Sequence, residues 1–179
     1  MRYMVVSDIH GDFAWASKAV EVFEQEKADR LVILGDILYH GPRNDLPEGY
    51  APKKVIPLLN GIKDKIIAVR GNCDAEVDQM VLDFPIMDDY RQIDCDGKTY
   101  VISHGHVYYP GKFPEDMPEG AVFLSGHTHV VRDEVVDGVR CMNPGSPSIP
   151  KENSAPSYIL IDNGEALLKS FSSSGDHRS

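Results

Sequence analysis

Five short apolar segments of the chain are each followed directly by polar residues of metal-ligand type. The first segment, Arg2–Val6, leads into Ser7-Asp8-Ile9-His10-Gly11-Asp12. The others lead into Gly35-Asp36, Gly71-Asn72, His104-Gly105-His106 and Gly126-His127-Thr128-His129. Ligands bind at the carboxyl ends of the strands in an α/β sheet. The recurrence therefore predicts buried strands whose carboxyl ends carry a functional site.

The first half of the chain has the pattern of an α/β unit. Apolar residues recur at helical spacing from Phe13, and Asp12 before them is a suitable N-cap. The apolar run Leu31–Leu34 follows, then a helix over Lys53–Asn60 and a strand over Lys65–Val69. A strand, a helix and a strand in this order predict parallel pairing with a right-handed crossover.

The second half has the pattern of antiparallel hairpins. Apolar segments flank Asp96-Gly97, Asp137-Gly138 and Asn163-Gly164, which are strong hairpin signals. No linker or repeat separates the halves. We therefore predict an α/β fold in one domain, residues 1–171, with two sheets. The polar residues 172–179 are expected to form a disordered tail.

Composition excludes several classes of function. A chain of 179 residues with 42% hydrophobic and 26% charged residues is ordinary for a globular protein. The formal net charge of -10 argues against a nucleic-acid polymer as partner, because a polyanion requires a basic surface. The three scattered cysteines indicate neither a disulfide framework nor a zinc ribbon. With no signal peptide or membrane span in the pattern, we expect a cytoplasmic protein that binds no membrane.

The loop residues point to metal chemistry. The candidate ligands are Asp8, His10, Asp36, Asn72, His104, His127 and His129. A lone histidine is usually structural, but so many ligand types at strand ends are hard to obtain by chance. Imidazole, carboxylate and amide groups without a thiolate favour manganese, iron or zinc over calcium or magnesium.

Seven ligands are too many for one ion and suit two. One carboxylate would then be shared between the ions. Two ions can stabilise an in-line displacement at phosphorus, in which a bridging hydroxide is the nucleophile. This chemistry predicts a phosphoester hydrolase.

The order of these motifs resembles the calcineurin-like metallophosphoesterase superfamily. Its pattern is Asp-x-His, Gly-Asp, Gly-Asn-His-Asp/Glu, His and Gly-His-x-His. Within it, the chain is similar to the YfcE-type bacterial phosphodiesterases, on residues 35–44, 69–74 and 143–146. The resemblance extends to about Phe171.

The resemblance implies a fold and a ligand set. The implied fold is two mixed β-sheets packed as a sandwich with flanking helices, in four αββα layers. Asp8, His10 and His129 correspond to ligands of a first metal, and Asn72, His104 and His127 to ligands of a second. Asp36 corresponds to the bridging carboxylate. Manganese is the first expectation for both ions, with zinc or iron as alternatives.

Cys73 departs from the superfamily pattern, which has a histidine there. That histidine is thought to contact the phosphate and to help protonate the leaving oxygen. A thiol is a weaker donor, so general-acid assistance is expected to be reduced. The alternative for Cys73 is a small buried residue without a role. Asp74 beside it is a catalytic candidate that orients an imidazole, or a cap of the following helix.

Three further residues are candidates for contacts with substrate. His106 lines the pocket or bonds to a ligand, or is an ordinary loop residue. Arg43 grips a phosphate oxygen or pairs with Asp45. Asn44 lies in the same long loop.

The function predicted from these residues is hydrolysis of a small phosphate diester. A phosphomonoesterase or nucleotide pyrophosphatase would use the same ligands. A protein-binding scaffold of this fold is another alternative, although none of the seven ligand positions is lost. A homo-oligomer is also expected.

Overall fold

The computed structural model describes residues 1–172 and contains ten strands and three α-helices within them. The first sheet contains β1 (Arg2–Val6), β2 (Arg30–Ile33), β3 (Ile66–Ala68), β9 (Ser157–Asp162) and β10 (Glu165–Ser170). The second contains β4 (Tyr90–Cys95), β5 (Lys98–Ser103), β6 (Val122–Leu124), β7 (Val131–Val136) and β8 (Val139–Pro144). The helices are α1 (Phe13–Gln25), α2 (Pro52–Asn60) and α3 (Glu76–Val81), with a 3₁₀ turn at Lys63–Lys65.

Both sheets are mixed. The first has the order β10-β9-β1-β2-β3, with parallel pairing among β1, β2 and β3. The second has the order β4-β5-β6-β8-β7, with β6 parallel to both β5 and β8. The predicted parallel start and the three hairpins β4–β5, β7–β8 and β9–β10 are confirmed.

Successive side chains of β1 point to opposite faces of the first sheet, and this alternation explains how the layers pack. Met4 and Val6 belong to the core between the first sheet and the helices. Val5 belongs to the core between the two sheets, together with Ile102 of β5 and Ile159 of β9. Because both faces of β1 are covered, the strand is buried and apolar from Tyr3 onward. The predicted sandwich of two mixed sheets is confirmed.

The outer face of the second sheet has a different cover. A small cluster there includes Val101, Phe123 and Cys141, with Tyr108 and Phe113 of the β5–β6 connection packed on it. This connection, rich in proline and glycine, is irregular along most of its length. Within residues 1–172, the outermost layer on this side is therefore a loop, whereas α1 and α2 cover the first sheet.

The start of α1 is held as predicted. The Asp12 carboxylate accepts a hydrogen bond from the Trp15 N–H at 3.0 Å, so Asp12 is the N-cap. It also accepts one from the Gly49 N–H at 3.2 Å, which fixes the long β2–α2 loop against the helix. No helix in the described part of the chain has the length and apolar character that a membrane span requires. Residues 173–179, most of the predicted disordered tail, lie outside the described residues, and the domain boundary stays a prediction.

Candidate metal centre

The structure brings all seven predicted ligands together at one edge of the sandwich. They come from the loops that follow β1, β2, β3, β5 and β6. We call Asp8, His10 and His129 the inner group, and Asp36, Asn72, His104 and His127 the outer group.

The inner group is buried and compact. Asp8 Oδ1 lies 3.5 Å from His10 Nε2 and 3.3 Å from His129 Nε2, and the two nitrogens are 3.2 Å apart. Each of the three residues is at most 3% exposed. Asp8 Oδ1 is buried and accepts no hydrogen bond. A buried oxygen without a partner is costly, and a cation between these three atoms would satisfy it. The group therefore fits a metal ion.

The outer group lies beside it and is more open. His104 Nε2 is 3.2 Å from Asp36 Oδ2 and 3.0 Å from Asn72 Oδ1. His127 Nδ1 is 3.1 Å from the same Asn72 oxygen. Asp36, His104 and His127 offer ligand atoms that all lie within 4.8 Å of one another. Asn72 is exposed and His127 half-buried. This group also fits a metal ion.

The two carboxylates connect the groups. Asp36 Oδ2 is 3.7 Å from His10 Nε2 of the inner group, and Asp8 Oδ1 is 3.8 Å from His104 Nε2 of the outer group. Asp36 therefore lies close to both groups, as a shared carboxylate would have to.

Backbone carbonyl groups orient three of the four imidazoles. His10 Nδ1 donates to the Tyr39 carbonyl at 2.8 Å, and His104 Nδ1 donates to the Leu34 carbonyl at 2.6 Å. His129 Nδ1 donates to the Ile149 carbonyl at 2.7 Å. These bonds leave Nε2 facing the site. His127 differs, because its Nδ1 faces the site.

Hydrogen bonds to Asp8 join distant loops. Its Oδ2 accepts from Ser7 Oγ at 2.6 Å and from the His127 N–H at 2.9 Å. Its backbone carbonyl accepts from Ser146 Oγ at 2.7 Å. One residue thus connects the loops after β1, β6 and β8.

Asp74 has a different role from either one predicted. Its buried carboxylate accepts three hydrogen bonds, from the N–H groups of Asp36, Ile37 and Gly71, at 2.7 to 3.0 Å. These partners are backbone groups, not an imidazole, and the N-cap of α3 is Ala75. Both expectations for this side chain were therefore wrong. Asp74 is a positioning residue that ties the loop after β2 to the loop after β3, and burial raises its pKa to about 6.

The backbone around the ligands is tightly packed and strained. A Cβ atom on Gly71 would lie 2.1 Å from Asp36 Oδ1, so no side chain fits there. Five ligands have left-handed backbone conformations, with φ between 51° and 72°: Asp8, His10, Asp36, His127 and His129. Such conformations cost roughly 1–3 kcal/mol each outside glycine and concentrate at functional sites.

Opposite charges dominate the electrostatics of the site. Burial alone would raise the pKa of Asp8, but His104, His10 and His129 hold it well below its usual range. Burial alone would lower the pKa of His104, but Asp8 and Asp36 raise it to about 9. The pKa of His127 is lowered, first by burial and then by His104. The site thus concentrates buried charged groups, which are stabilised by one another or by a bound cation.

A cavity of about 340 Å³ opens onto the ligands. Of the predicted substrate residues, Arg43 and Asn44 line it, as does Cys73. No ion pair among the described residues includes Arg43, so the alternative of a pair with Asp45 is wrong. Lys151 also lines the cavity, and sequence reasoning missed it because no motif surrounds it.

Two other predicted site residues, Cys73 and His106, lie in different surroundings. Cys73 is half-buried, and burial, followed by Asp36, raises the pKa of its thiol to about 12. The thiol is therefore neutral near pH 7. His106 does not line the cavity; its ring lies 5.3 Å from that of His104, and its Nδ1 is buried without a hydrogen-bond partner.

Comparison with known proteins gives results that agree with this geometry. Residues 1–165 match the family described as calcineurin-like phosphoesterase superfamily domain. The chain is 47% identical over 163 residues to Phosphodiesterase YfcE of Escherichia coli (strain K12), covering 91% of this chain and 88% of that protein. It is also similar to a solved structure described as YfcE, a phosphoesterase from E. coli, with a TM-score of 0.92 and 44% identity, covering 97% and 95% of the two chains.

A more distant likeness concerns the fold alone. The structure of Vacuolar Protein Sorting 29 from Cryptosporidium parvum has a TM-score of 0.57 and 15% identity, covering 94% of this chain and 95% of that one. The same architecture thus occurs at low sequence identity, so the argument for function depends on the site residues.

Proposed function

The chain belongs to the calcineurin-like phosphoesterase superfamily, and on that basis we propose that it is a metal-dependent phosphodiesterase that uses two divalent ions. One observation carries the proposal: two ligand groups lie side by side, and Asp36 is within 3.7 Å of an imidazole of each. Asp8, His10 and His129 would hold one ion, and Asn72, His104 and His127 the other, with Asp36 shared.

The ions would supply a bridging hydroxide nucleophile near neutral pH and positive charge opposite the developing charge on phosphorus. Nitrogen and oxygen ligands without a thiolate suit manganese, zinc or iron, and of these we propose manganese first. The chain's own residues would bind and orient the ester. The guanidinium of Arg43 can pair with non-bridging phosphate oxygens, and Lys151 adds a second cation to the same cavity.

The neutral thiol of Cys73 supports a preference for diesters with good leaving groups. A neutral thiol adds no negative charge beside the phosphate, but it is a weak hydrogen-bond donor. Proton transfer to a poor leaving group would therefore receive little help. We propose a small diester as substrate, and a cytoplasmic homo-oligomer as the form of the enzyme. The net charge of -10 supports a small substrate over a nucleic-acid polymer.

Metal replacement tests the proposed function. Protein stripped with a chelator and reloaded with manganese, zinc or iron is assayed on bis(p-nitrophenyl) phosphate and on p-nitrophenyl phosphate. We expect no hydrolysis without metal, and faster hydrolysis of the diester after reloading, with manganese most effective. Faster hydrolysis of the monoester would replace the proposal by a phosphomonoesterase. Inactivity with every metal would favour a scaffold.

A further inference from the structure

A second cavity, of about 190 Å³, lies on the outer face of the second sheet beside the metal centre. Six of its lining residues are Cys141 and Asn143 of β8, Arg132 and Glu134 of β7, and Tyr109 and Pro110 of the β5–β6 connection. In the β7–β8 register, Glu134 pairs with Cys141 and Arg132 pairs with Asn143, so these four side chains share one face of the sheet. The cavity thus runs between the edge strand and the irregular loop.

Thr128 connects this cavity to the metal centre. It lies between the ligands His127 and His129, and it lines both cavities. The Asn143 amide donates to Thr128 Oγ1 at 3.1 Å and to the Gly126 carbonyl at 3.0 Å, which holds the loop in place. A molecule held at the metal centre that extends across Thr128 would therefore enter the second cavity.

The lining indicates what the second cavity can bind. Asn143 is already fully engaged, since its Oδ1 accepts from the Gly145 N–H at 2.8 Å. Arg132 and Glu134 are paired with each other at 3.9 Å. Cys141 is only 2% exposed and its thiol donates to the Val139 carbonyl, so Tyr109 and Pro110 are left to contact a ligand with apolar surface. An apolar cavity of about 150 Å³ is large enough to hold a benzene ring.

We propose that this second cavity binds a neutral aromatic ester group of an anion whose phosphorus lies at the metal centre. The proposal rests on the proposed function for the position of the phosphorus, and it adds a substrate class: diesters with at least one aryl group. Tyr109 is 46% exposed, so its ring has surface available for stacking against such a group.

Variants on one strand test this proposal. Glu134→Trp places a large ring in the cavity, on an exposed edge strand where aromatic residues are well tolerated. Val135→Trp is the matched control, because Val135 is 72% exposed and points to the opposite face of the same strand. Glu134→Gln controls for the lost charge. Tyr109→Ala removes part of the wall and provides an independent variant if Glu134→Trp does not fold.

Binding is measured with two phosphinates whose phosphorus–carbon bonds resist hydrolysis. Isothermal titration calorimetry with the manganese-loaded protein gives the Kd of methyl(phenyl)phosphinate and of dimethylphosphinate. We expect the phenyl compound to bind about tenfold more tightly to the unmodified protein, from burial of the ring. Glu134→Trp should abolish this preference and Tyr109→Ala should reduce it, whereas Val135→Trp and Glu134→Gln should keep it.

Each other result overturns the proposal. Equal affinities for the two phosphinates, no binding of either, or an equal loss in Val135→Trp would each show that the cavity does not select an aromatic group. The proposed function is judged separately, by turnover of bis(p-nitrophenyl) phosphate. Tighter binding of the phenyl compound without turnover would overturn the proposed phosphodiesterase activity and keep the aromatic binding site. Turnover without tighter binding of the phenyl compound would keep the activity and overturn the binding site.

Discussion

The inner and outer ligand groups are built from similar side chains but differ in their environment. All three inner residues are buried, and backbone carbonyls orient both inner imidazoles. In the outer group, Asn72 is exposed and His127 is half-buried, and only His104 has such a carbonyl partner. The inner group therefore consists of enclosed side chains with fixed partners, whereas the outer group combines the buried Asp36 and His104 with two members that are more open to solvent.

This difference suggests separate tasks for the two halves of the centre. A rigid, buried ligand set favours tight retention of an ion. A set with exposed members lets the ion exchange and lets a substrate oxygen approach. We expect an inner ion that stays bound and an outer ion that is lost more easily.

The largest effect is expected when the inner group loses its carboxylate. Asp8→Asn removes the charge that faces imidazoles of both groups, so both ions should be lost or weakly held. Metal-ion catalysis supplies several kcal/mol, so kcat/KM should fall about 10³-fold or more. Metal content and diester turnover are measured together, with Asp45→Asn in the long loop as control. Full metal content with normal turnover would contradict the role of Asp8.

A pH series on the metal-free protein tests the charge balance. The folded pKa of His104 is about 9, above the unfolded value of about 6.5. Its protonated form therefore stabilises the fold below pH 6.5, and this contribution is lost as pH rises to about 9. The free energy of unfolding in urea should fall by an amount on the order of 3 kcal/mol across this window.

Two variants assign that pH dependence to one residue. His104→Gln should remove most of the fall between pH 6.5 and 9 and leave the contribution of His10, whose pKa is also raised, by Asp8 and Asp36 against the effect of burial. His127→Gln should keep it, because the pKa of His127 is shifted downward instead. An equal change in both variants would contradict the assignment of the pH dependence to the fully buried imidazole of His104 and not to the half-buried one of His127.

A smaller effect is expected from the exposed outer ligand. Asn72→Ala removes the ligand oxygen that faces His104 and His127, and it should weaken binding of one of the two ions by at least the roughly 10–100-fold that loss of a residue supporting a ligand costs. Competition with a chelator, followed ion by ion, measures this, with Asn60→Ala as an amide control away from the cavity. Equal weakening of both ions would show that the groups are not independent.

The smallest effect concerns the donor beside the outer group. Cys73→His replaces a neutral thiol by a stronger acid, so turnover should rise about tenfold more for diesters with alkyl leaving groups than for nitrophenyl diesters. The ratio of kcat values for the two substrates is the measurement, and Cys73→Ser is the control. An equal or opposite change would mean that Cys73 does not face the leaving oxygen.

Much of the fold could be predicted because its signals are local. The apolar run Arg2–Val6, the cap Asp12 and the hairpin turn Asp96-Gly97 each depend on neighbours in sequence, and the structure has an element at each. The strand order could not be derived that way. The parallel pairing of β6 with β8 joins segments separated by the edge strand β7, and no local pattern encodes it.

Prediction of the site has the same limit: the sequence reveals the ligands but not the groups that hold them. Strand ends identified the residues that converge, because a polar side chain after a buried strand is visible in the sequence. Their supports were not visible: the carbonyls of Tyr39 and Ile149 would be present with any residue at those positions. Asp74 is visible in the sequence beside Cys73, but its partners are backbone N–H groups, which no side-chain pattern reveals.

The three hydrogen bonds of Asp74 have a consequence for how the protein would take up metal ions. They join the loops of Asp36 and Gly71 using only atoms of the polypeptide. The loops that carry Asp36 and Asn72 can therefore be held together without a metal ion, so binding of an ion would not have to build this connection. Loss of the outer ion would then leave these loops joined, and a change in the metal supply of the cell could replace the outer ion without renewing the protein.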